Sequence, residues 1–379
     1  MKALFISNDP TIFEPGSSAR ERMRAYATAI GELHILSRGA KTADEQDGPL
    51  SLHSVRVASS PLGRVFAFPA LSRLAQELII EHGIEVVSAQ DPFEYGYIAF
   101  RAVQGTAAKL HVQVHTDFCS PFFATESLKN RVRVRLADAV LHRAAGIRAV
   151  SERVKHGLLA RYGERIPEPA VIPIVTVLSA PDASSTPDIP CTPPFPFVLM
   201  AIGRFEKEKR FADAVRAAAA LVRAEYPVTL ALVGEGREKE SLRALAQKLG
   251  IAKHVVFLGW RTDTAALLSH AQAFIQTSAY EGYGRTYLEA ALAGVPMVVT
   301  DAGIVGEVFK DNESALVCPV GDITCLTCEV TKLIEENDLR HRIGENAREA
   351  ARAHLAALGD IPARIAADLA RLGTNKLVL

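Results

Sequence analysis

The sequence predicts an α/β protein with two domains, each built on a parallel sheet that helices cover on both faces. Its 379 residues suggest two domains rather than one. Hydrophobic residues make up 49% of the chain, which is enough for two sizeable cores. Short apolar segments alternate with segments of helical spacing along the chain, and this alternation is typical of doubly wound parallel sheets.

The first half of the chain begins with a strand, a polar loop and a helix. The pattern predicts strands at residues 3–7, 34–37, 54–58, 84–89, 110–116, 146–151 and 171–178, and helices at 19–30, 73–82 and 151–161. Gly16 lies in the first polar loop, at the carboxyl end of the sheet, where such sheets bind ligands. Two interpretations of Gly16 remain open: the backbone approaches a substrate there, or the loop is an ordinary helix start.

Two histidines lie on the predicted strand at 110–116. His111, Gln113 and His115 share one face of this strand because side chains alternate along it. His115 stands where the strand ends, so it could contact a reacting group, with a purely structural histidine as the alternative. His111 lies deeper in the strand and is interpreted as structural.

The segment 118–135 mixes phenylalanines with lysine and arginine. Such a mixture can form an interfacial membrane patch, and the alternative is a solvated helix face beside a loop. The chain has 43 basic and 43 acidic residues, so no global field favours nucleic acid. No apolar run is long enough to span a bilayer, and the N-terminus lacks a signal-peptide pattern. We therefore expect a cytoplasmic protein, with peripheral contact at the inner membrane face as the alternative.

The second half repeats the alternation after a segment rich in proline and serine, 179–196, which is interpreted as a linker. Strands are predicted at 197–202, 228–233, 255–258, 273–276 and 295–300, and helices at 211–225, 238–249, 262–270 and 345–372, the last broken near Gly359. Gly234 closes the second of these strands. Arg204 and Lys209 lie in the loop after the first strand, where two cations could neutralise a diphosphate. Solvated surface charges are the alternative.

The most informative segment runs from Ser278 to Pro296. A predicted strand precedes the segment. Within the segment, a glycine turn carries Glu281, and Glu289 falls within the first turns of a helix that begins near Arg285. Free backbone N–H groups at a helix N-terminus suit a phosphate, and two carboxylates can accept hydrogen bonds from sugar hydroxyls. The segment therefore predicts an anion site with sugar-binding potential.

The five cysteines are scattered and odd in number, so a disulfide framework is not expected. Cys325 and Cys328 have the spacing of a metal or redox pair, but no second pair accompanies them. They are interpreted as small core or cap residues at the start of a helix, with metal or redox chemistry as the alternative.

Taken together, these motifs resemble those of the family 4 glycosyltransferases. Glu281 and Glu289 are similar to the paired-glutamate motif of that family, and Gly203-Arg204 with Lys209 is similar to its diphosphate loop. The resemblance covers nearly the whole chain and is stronger in the second half. Three features depart from the family pattern: Arg210 replaces a glycine, Pro173-Ile174-Val175 replaces a Pro-Asn-Gly, and the N-terminal loop has one glycine, Gly16, instead of two.

The resemblance implies a GT-B fold: two Rossmann-like domains facing a cleft. The implied boundaries are 1–178 for an acceptor-side domain, 179–196 for the linker, 197–358 for a nucleotide-sugar domain, and 359–379 for a helix that returns to the first domain. The implied activity is transfer of a sugar from a nucleotide-diphosphate donor, with retention of configuration and without a metal or other cofactor. A glycan or a lipid-linked molecule would be the acceptor.

The resemblance also implies a role for each site residue. Arg204 and Lys209 would hold the diphosphate, Glu281 the transferred sugar, Glu289 the ribose, and His115 would lie beside the reacting centre. The remaining donor-binding positions would be Gly16, Gly234, Gly282, Tyr283, Gly284 and Arg285. Two alternatives stay open: a GT-B epimerase acting on a nucleotide-sugar, and a non-catalytic binding protein on the same fold.

Overall fold

The computed structural model describes residues 1–39, 42–57, 67–174 and 196–373. These residues form two compact units: the first combines the described residues up to 174 with 360–373, and the second comprises 196–359. All of the predicted linker except residue 196 lies outside the described residues, as does the end of the strand predicted at 171–178. Among the described residues, no helix has the length and apolar character needed to cross a bilayer.

The first unit is built on an eight-stranded sheet with the order β3-β4-β2-β1-β5-β6-β7-β8. Its strands are β1 Lys2–Ser7, β2 Glu32–Gly39, β3 Ala43–Asp47, β4 Leu50–Arg56, β5 Val86–Ala89, β6 Lys109–Val114, β7 Gly146–Ala149 and β8 Ala170–Val171. All pairings are parallel except that of β3 with β4. β3 was not predicted, because an exposed edge strand of polar residues carries no apolar signal.

Helices cover this sheet. They are α1 Ser18–Ile30, α2 Phe68–His82, α3 Glu94–Ala102, α4 Pro121–Glu126, α5 Leu128–Leu141, α6 Glu152–Tyr162 and, from the end of the chain, α13 Ile361–Gly373. Serine side chains cap the N-termini of α1, α5 and α6, at Ser17, Ser127 and Ser151. α13 packs on α1 and is tied to β6 by a hydrogen bond of 3.1 Å between His111 and Asp368.

The second unit is built on a six-stranded parallel sheet with the order β11-β10-β9-β12-β13-β14. Its strands are β9 Phe197–Ile202, β10 Val228–Val233, β11 Val255–Gly259, β12 Ala273–Gln276, β13 Met297–Thr300 and β14 Leu316–Cys318. Its helices are α7 Phe211–Arg223, α8 Lys239–Lys248, α9 Thr264–Leu268, α10 Arg285–Leu292, α11 Ile323–Glu335 and α12 Asn337–Ala357. Every residue of β9 and β10 is buried, as expected for central strands with helices on both faces.

A disulfide joins Cys318 at the end of β14 to Cys325 in the first turn of α11. The sequence pattern gave no reason to expect it, because the paired spacing there is that of Cys325 and Cys328. Cys328 is instead a free, exposed thiol. Seven positions separate the bonded cysteines, and the strand-to-helix turn between them brings their side chains together.

Candidate functional site

The second unit brings Lys209 and Glu281 together. Lys209 ends a short 3-10 turn, Lys207–Lys209, after β9, and Glu281 lies in the loop after the neighbouring strand β12. The Lys209 ammonium donates to Glu281 Oε1, and both side chains are only 13% exposed. Ser278 Oγ donates to the same carboxylate oxygen at 2.8 Å, so this oxygen is held from two sides. The result is a charged, largely enclosed cluster at the carboxyl ends of two parallel strands.

Hydrogen bonds to main-chain carbonyls fix these two loops to each other. Thr277 Oγ1 donates to the carbonyl oxygens of Lys209 and Arg210, each at 2.9 Å. The amide of Ala279 donates to the carbonyl of Glu208 at 2.7 Å. Arg210 adopts a left-handed conformation with φ +49°, the conformation that the glycine usual in the family would adopt readily. The cluster geometry therefore rests on main-chain positions and not only on the ion pair.

Arg204 does not join this cluster. Its side chain is 77% exposed and pairs with Glu208 at 3.2 Å. An exposed ion pair of this kind contributes little to stability, so the guanidinium can change partners at small cost. The sequence predicted that Arg204 and Lys209 act together on a diphosphate. In the structure only Lys209 contacts Glu281.

The N-terminus of α10 lies in the same loop as Glu281. Gly284 precedes the helix with φ +90°. The amide of Tyr287 donates back to the Gly284 carbonyl at 3.0 Å, and the helix amides before it have no acceptor within the helix. Arg285 is exposed and lies 3.5 Å from Glu289, one helical turn further on. Burial raises the pKa of Glu289, while Arg285 and a hydrogen bond from Thr264 act in the opposite sense. Glu289 is thus a half-buried carboxylate close to a helix end, as the spacing predicted.

Several glycines let backbone segments approach one another closely. At Gly234, which has φ +140°, a Cβ would stand 1.9 Å from the carbonyl oxygen of Gly203. At Gly303, with φ +61°, it would stand 2.5 Å from the carbonyl oxygen of Tyr283 and 3.0 Å from Glu281 Cβ. Because Gly303 has no Cβ, the loop that carries Glu281 can lie close to the chain that follows β13. Gly282 is buried within the same loop.

Tyr283 completes the set of residues predicted around the glutamates. Its side chain is buried and turned towards α12, where the hydroxyl hydrogen-bonds His354 Nε2 at 2.7 Å. Burial raises the pKa of Tyr283 and lowers that of His354. Tyr283 therefore anchors the loop, and its backbone carbonyl accepts from the amide of Ile304 at 3.0 Å.

The first unit has its own polar cavity of about 270 Å³. Its lining includes side chains from the ends of β1, β5, β6 and β7 and from α1: Asn8, Arg22, Tyr26, Asp91, His115 and Arg148. His115 Nε2 lies 3.0 Å from Gln113 Oε1. Because an amide oxygen only accepts, Nε2 carries the proton and Nδ1 keeps its lone pair. Gly16 is not among the residues that line this cavity; it has φ +76° in the turn before α1.

The pKa values of two titratable groups in this cavity are shifted in the directions that favour their uncharged forms. Burial, with Arg148 and Arg22 adding to it, lowers the pKa of His115 to about 3. Burial also raises the pKa of Asp91 to about 6, and Glu94 adds to that effect. His115 is therefore a neutral hydrogen-bonding group near neutral pH and not a proton donor.

Arg148 is a residue that sequence reasoning did not single out. It lies in β7, is 2% exposed, and donates to Gln113 Oε1 at 2.9 Å and to the carbonyls of Ile172 and Pro173 at 2.7 and 2.8 Å. Gln113 in turn donates to Ser88 at 2.9 Å. The sequence did contain a signal for it: an arginine inside an otherwise apolar strand. A buried guanidinium needs buried acceptors, so such an arginine indicates a polar network in the core.

Comparisons with known proteins agree with this architecture. Residues 16–174 match the family described as Glycosyltransferase Family 4, and residues 192–350 match Glycosyl transferases group 1. Sucrose-phosphate synthase from Thermosynechococcus elongatus has a similar structure, with a TM-score of 0.79 and 19% identity over 98% of both chains. HepE of Anabaena, solved with UDP and glucose, has a TM-score of 0.74 and 21% identity over 98% of this chain and 99% of its own.

Two parallel-sheet units with these structural neighbours define the GT-B fold. The two family matches together cover most of the chain, and the chain belongs to glycosyltransferase family 4.

Curated relatives match over a shorter length. The N-acetyl-α-D-glucosaminyl L-malate synthase of Bacillus anthracis is 35% identical over 152 residues, which is 40% of this chain and 40% of that protein. The lipopolysaccharide core biosynthesis glycosyltransferase LpsE of Rhizobium meliloti is 32% identical over 152 residues, 40% of this chain and 44% of its own. The chain thus matches less than half the length of these relatives.

Proposed function

We propose that this protein transfers a sugar from a nucleotide-diphosphate-sugar to an acceptor hydroxyl with retention of anomeric configuration. The observation that carries the proposal is the Lys209–Ser278–Glu281 cluster beside the N-terminus of α10. It combines a cation, an oriented carboxylate and the amides at the start of a helix in one region of the second unit. A diphosphate suits the cation and the amides, and a sugar hydroxyl suits the carboxylate.

In the proposed reaction, the bond between the anomeric carbon and the diphosphate oxygen breaks, and a bond to the acceptor oxygen forms on the same face. The leaving diphosphate gains negative charge and accepts the proton that the acceptor hydroxyl loses. Lys209 and the first amides of α10 stabilise the developing charge, as preorganised donors do at other oxyanions. Arg204 joins them by leaving its exposed pairing with Glu208.

Glu281 and Glu289 take separate roles in this proposal. Glu281 accepts hydrogen bonds from the transferred sugar, because Lys209 and Ser278 hold its carboxylate in one orientation. Glu289 accepts from the ribose hydroxyls, one turn into α10. The neutral His115 offers its Nδ1 lone pair to a sugar hydroxyl, which fits its lowered pKa. The described side chains supply the cations themselves, so we propose that the transfer needs no bound metal.

The relatives suggest the substrate classes. HepE binds UDP and UDP-glucose, and LpsE acts in lipopolysaccharide core biosynthesis. We propose a uridine- or other nucleoside-diphosphate sugar as donor and a glycan or lipid-linked glycan as acceptor for this chain.

Incubation with a panel of nucleotide-sugars, with and without glycan acceptors, tests the proposal. We expect nucleotide release that depends on acceptor, falls at least tenfold in Lys209→Ala and Glu281→Ala, and does not rise when Mg²⁺ or Mn²⁺ is added. A product that keeps the sugar on the nucleotide would indicate an epimerase. Absence of turnover, with donor binding unchanged in both variants, would indicate a binding protein.

A second observation favours contact with a membrane surface. Phe122, Leu128 and Val132 are 38%, 75% and 53% exposed, on α4 and on one face of α5. Exposed basic side chains lie beside them: Lys129, Arg131 and Arg135. Apolar side chains flanked by cations suit the boundary of an anionic bilayer.

Co-sedimentation with vesicles containing anionic lipid tests this contact. We expect the wild type to pellet with the vesicles and the Arg131→Ala/Arg135→Ala variant to pellet several-fold less. Added salt should release the wild type, because the attraction is screened. Equal pelleting of the two proteins would argue against this surface.

A further inference from the structure

Three histidines and two carboxylates cluster at one edge of the first unit. Glu32 and His34 lie at the beginning of β2, His53 lies on the neighbouring strand β4, and His82 lies in the last turn of α2. Asp44 on β3 faces His53 across the antiparallel pair. Because β2 is parallel to β1, its beginning lies at the sheet edge opposite to the cavity that contains His115. The proposed sugar transfer uses none of these five residues.

Four of these groups form a continuous string of contacts. Glu32 Oε1 lies 3.0 Å from His34 Nε2, and His34 Nδ1 lies 3.1 Å from His53 Nε2. His53 Nδ1 lies 2.8 Å from Asp44 Oδ1. Each end of the string is therefore a carboxylate, and the two inner members are imidazoles.

With both carboxylates ionised and both imidazoles neutral, this string has one hydrogen fewer than its three contacts need. Each of the three contacts needs one hydrogen between its two atoms. Two neutral imidazoles carry only one N–H each, and ionised carboxylates carry none. If His53 donates to Asp44, and His34 donates to His53, then the lone pair of His34 Nε2 faces the oxygen of Glu32. The opposite tautomers move the same conflict to Asp44. Either a proton or a metal ion must supply the missing charge.

His82 distinguishes between these two possibilities. Its ring centroid lies 4.3 Å from that of His34, and one of its nitrogens lies within 4.8 Å of both Glu32 and His34 ligand atoms. Two ligands of a tetrahedral zinc ion lie roughly 3.3 Å apart, as bonds of about 2.0–2.1 Å require. A proton needs only the two atoms that it joins, whereas three converging ligand atoms are what a metal ion requires. His34 is 2% exposed, so an additional positive charge on its ring would be poorly solvated.

We propose that Glu32, His34 and His82 bind a divalent transition-metal ion of the zinc class. Nitrogen and carboxylate ligands suit Zn²⁺, and three protein ligands leave one position for water. In this arrangement His34 Nδ1–H donates to His53, and His53 Nδ1–H donates to Asp44, so all three contacts are satisfied. A ligating histidine commonly donates its other N–H to such a partner, which fixes its tautomer. Lys2 stays on the second oxygen of Glu32, at 2.9 Å.

The metal ion would act as a structural cross-link. It would join the beginning of β2 to the end of α2, while His53 and Asp44 extend the connection to β4 and β3. The site lies at the edge away from the His115 cavity, so its occupancy changes stability and not the chemistry of transfer. Metal binding can therefore be tested without reference to any proposed activity.

The test is titration with Zn²⁺ alone, using the full chain without a polyhistidine tag and stripped by a chelator. Competition with a chromogenic zinc indicator gives affinity and stoichiometry, and the thermal midpoint gives the effect on stability. We expect one Zn²⁺ per chain and a rise of the midpoint in the wild type. His53→Ala should weaken binding by roughly 10–100-fold, as loss of an orienting partner does. His82→Ala and Glu32→Gln, which remove ligands, should weaken it further.

Two variants serve as matched controls. His341→Ala removes an exposed histidine of α12, and Cys328→Ser removes an exposed free thiol. Both should bind Zn²⁺ as the wild type does. His82 is only half-buried, so its variant is expected to fold, which circular dichroism checks. Equal affinity of His82→Ala and wild type would overturn the proposal. So would a wild type that binds no Zn²⁺, because the missing charge would then be a proton.

Discussion

Each unit holds a cation near the carboxyl end of a parallel strand, but the two surroundings differ. Lys209 of the second unit contacts a carboxylate, Glu281, and retains some exposure. Arg148 of the first unit is enclosed and donates to three neutral oxygens. A carboxylate partner neutralises the first charge, whereas carbonyl partners leave the second charge in place. The contrast indicates that Lys209 can exchange its carboxylate partner for a ligand and that Arg148 has a structural role.

The largest effect is expected for Arg148→Met, which would remove the enclosed cation. The substitution removes the Arg148 donor from the carbonyls of Ile172 and Pro173 and leaves Gln113 Oε1 with His115 Nε2 as its donor. We expect the free energy of unfolding to fall by about 3–5 kcal/mol, as when one partner of a buried polar network is lost. Urea denaturation measures this, with the exposed Arg131→Met as the control expected within about 0.5 kcal/mol of wild type. A loss below about 1 kcal/mol would show that Arg148 is not structural.

The second prediction concerns the exchangeable cation. Lys209→Met should lower kcat about 10²–10³-fold, which corresponds to about 3–4 kcal/mol of transition-state stabilisation. Ser278 still holds Glu281 in this variant, so the unfolding midpoint should change much less than in Arg148→Met. Lys207→Met is the matched control, because Lys207 lies exposed in the same turn. Comparable rates for Lys207→Met and Lys209→Met would remove the distinction between the two lysines.

The third prediction tests how the loop of Glu281 is held in place. Gly303→Ala places a methyl group against the Tyr283 carbonyl and the Glu281 side chain, in a left-handed conformation. We expect a loss of about 2–3 kcal/mol in stability and a clear loss of activity. Gly48→Ala is the control: φ is +60° there, but nothing lies within 4 Å of the added carbon.

The two glycine variants share the cost of the left-handed backbone, so their difference isolates the steric contact. Gly48→Ala should lose only about 1 kcal/mol and keep full activity. Equal losses of stability and activity in the two variants would show that the close approach of Gly303 to the Glu281 loop is not needed for function.

The sequence predicted the architecture well because apolar periodicity reports it directly. The strands Phe197–Ile202, Val228–Val233 and Ala273–Gln276 have the predicted bounds. Spacing along one segment also placed Glu281 and Glu289 on either side of a helix start. Such local relations can be predicted from the sequence, since the residues concerned are close to one another along the chain.

Relations between distant segments could not be read in this way. His111 and Asp368 are 257 positions apart, and only folding of the last helix onto the first unit joins them. The contact of Lys209 with Glu281 spans 72 positions; the resemblance implied a role for each residue in donor binding but no contact between them. The exposed position of Arg204 and the pairing of Cys318 with Cys325 depend on turn geometry that composition does not report.

The smallest effect is expected for pH, because two groups of the same cavity oppose each other. Folded Asp91 keeps its proton up to about pH 6, whereas the unfolded chain releases it near pH 3.8, so its contribution to stability falls as pH rises between these values. Folded His115 stays neutral down to about pH 3, whereas the unfolded chain binds a proton below pH 6.5. Its contribution therefore falls as pH drops through that range.

Between about pH 4 and pH 6 the two slopes have opposite signs, and each single substitution should expose the other. Relative to wild type, Asp91→Asn should gain stability as pH rises, since only the His115 slope remains. His115→Gln should lose stability over the same range, because only the Asp91 slope remains. Thermal midpoints at three pH values measure both, and differences from wild type of a few degrees are expected. Slopes of equal sign in the two variants would contradict the assignment, since the pKa of Asp91 would then not be raised while that of His115 is lowered. Comparison with wild type removes the titration that all three proteins share.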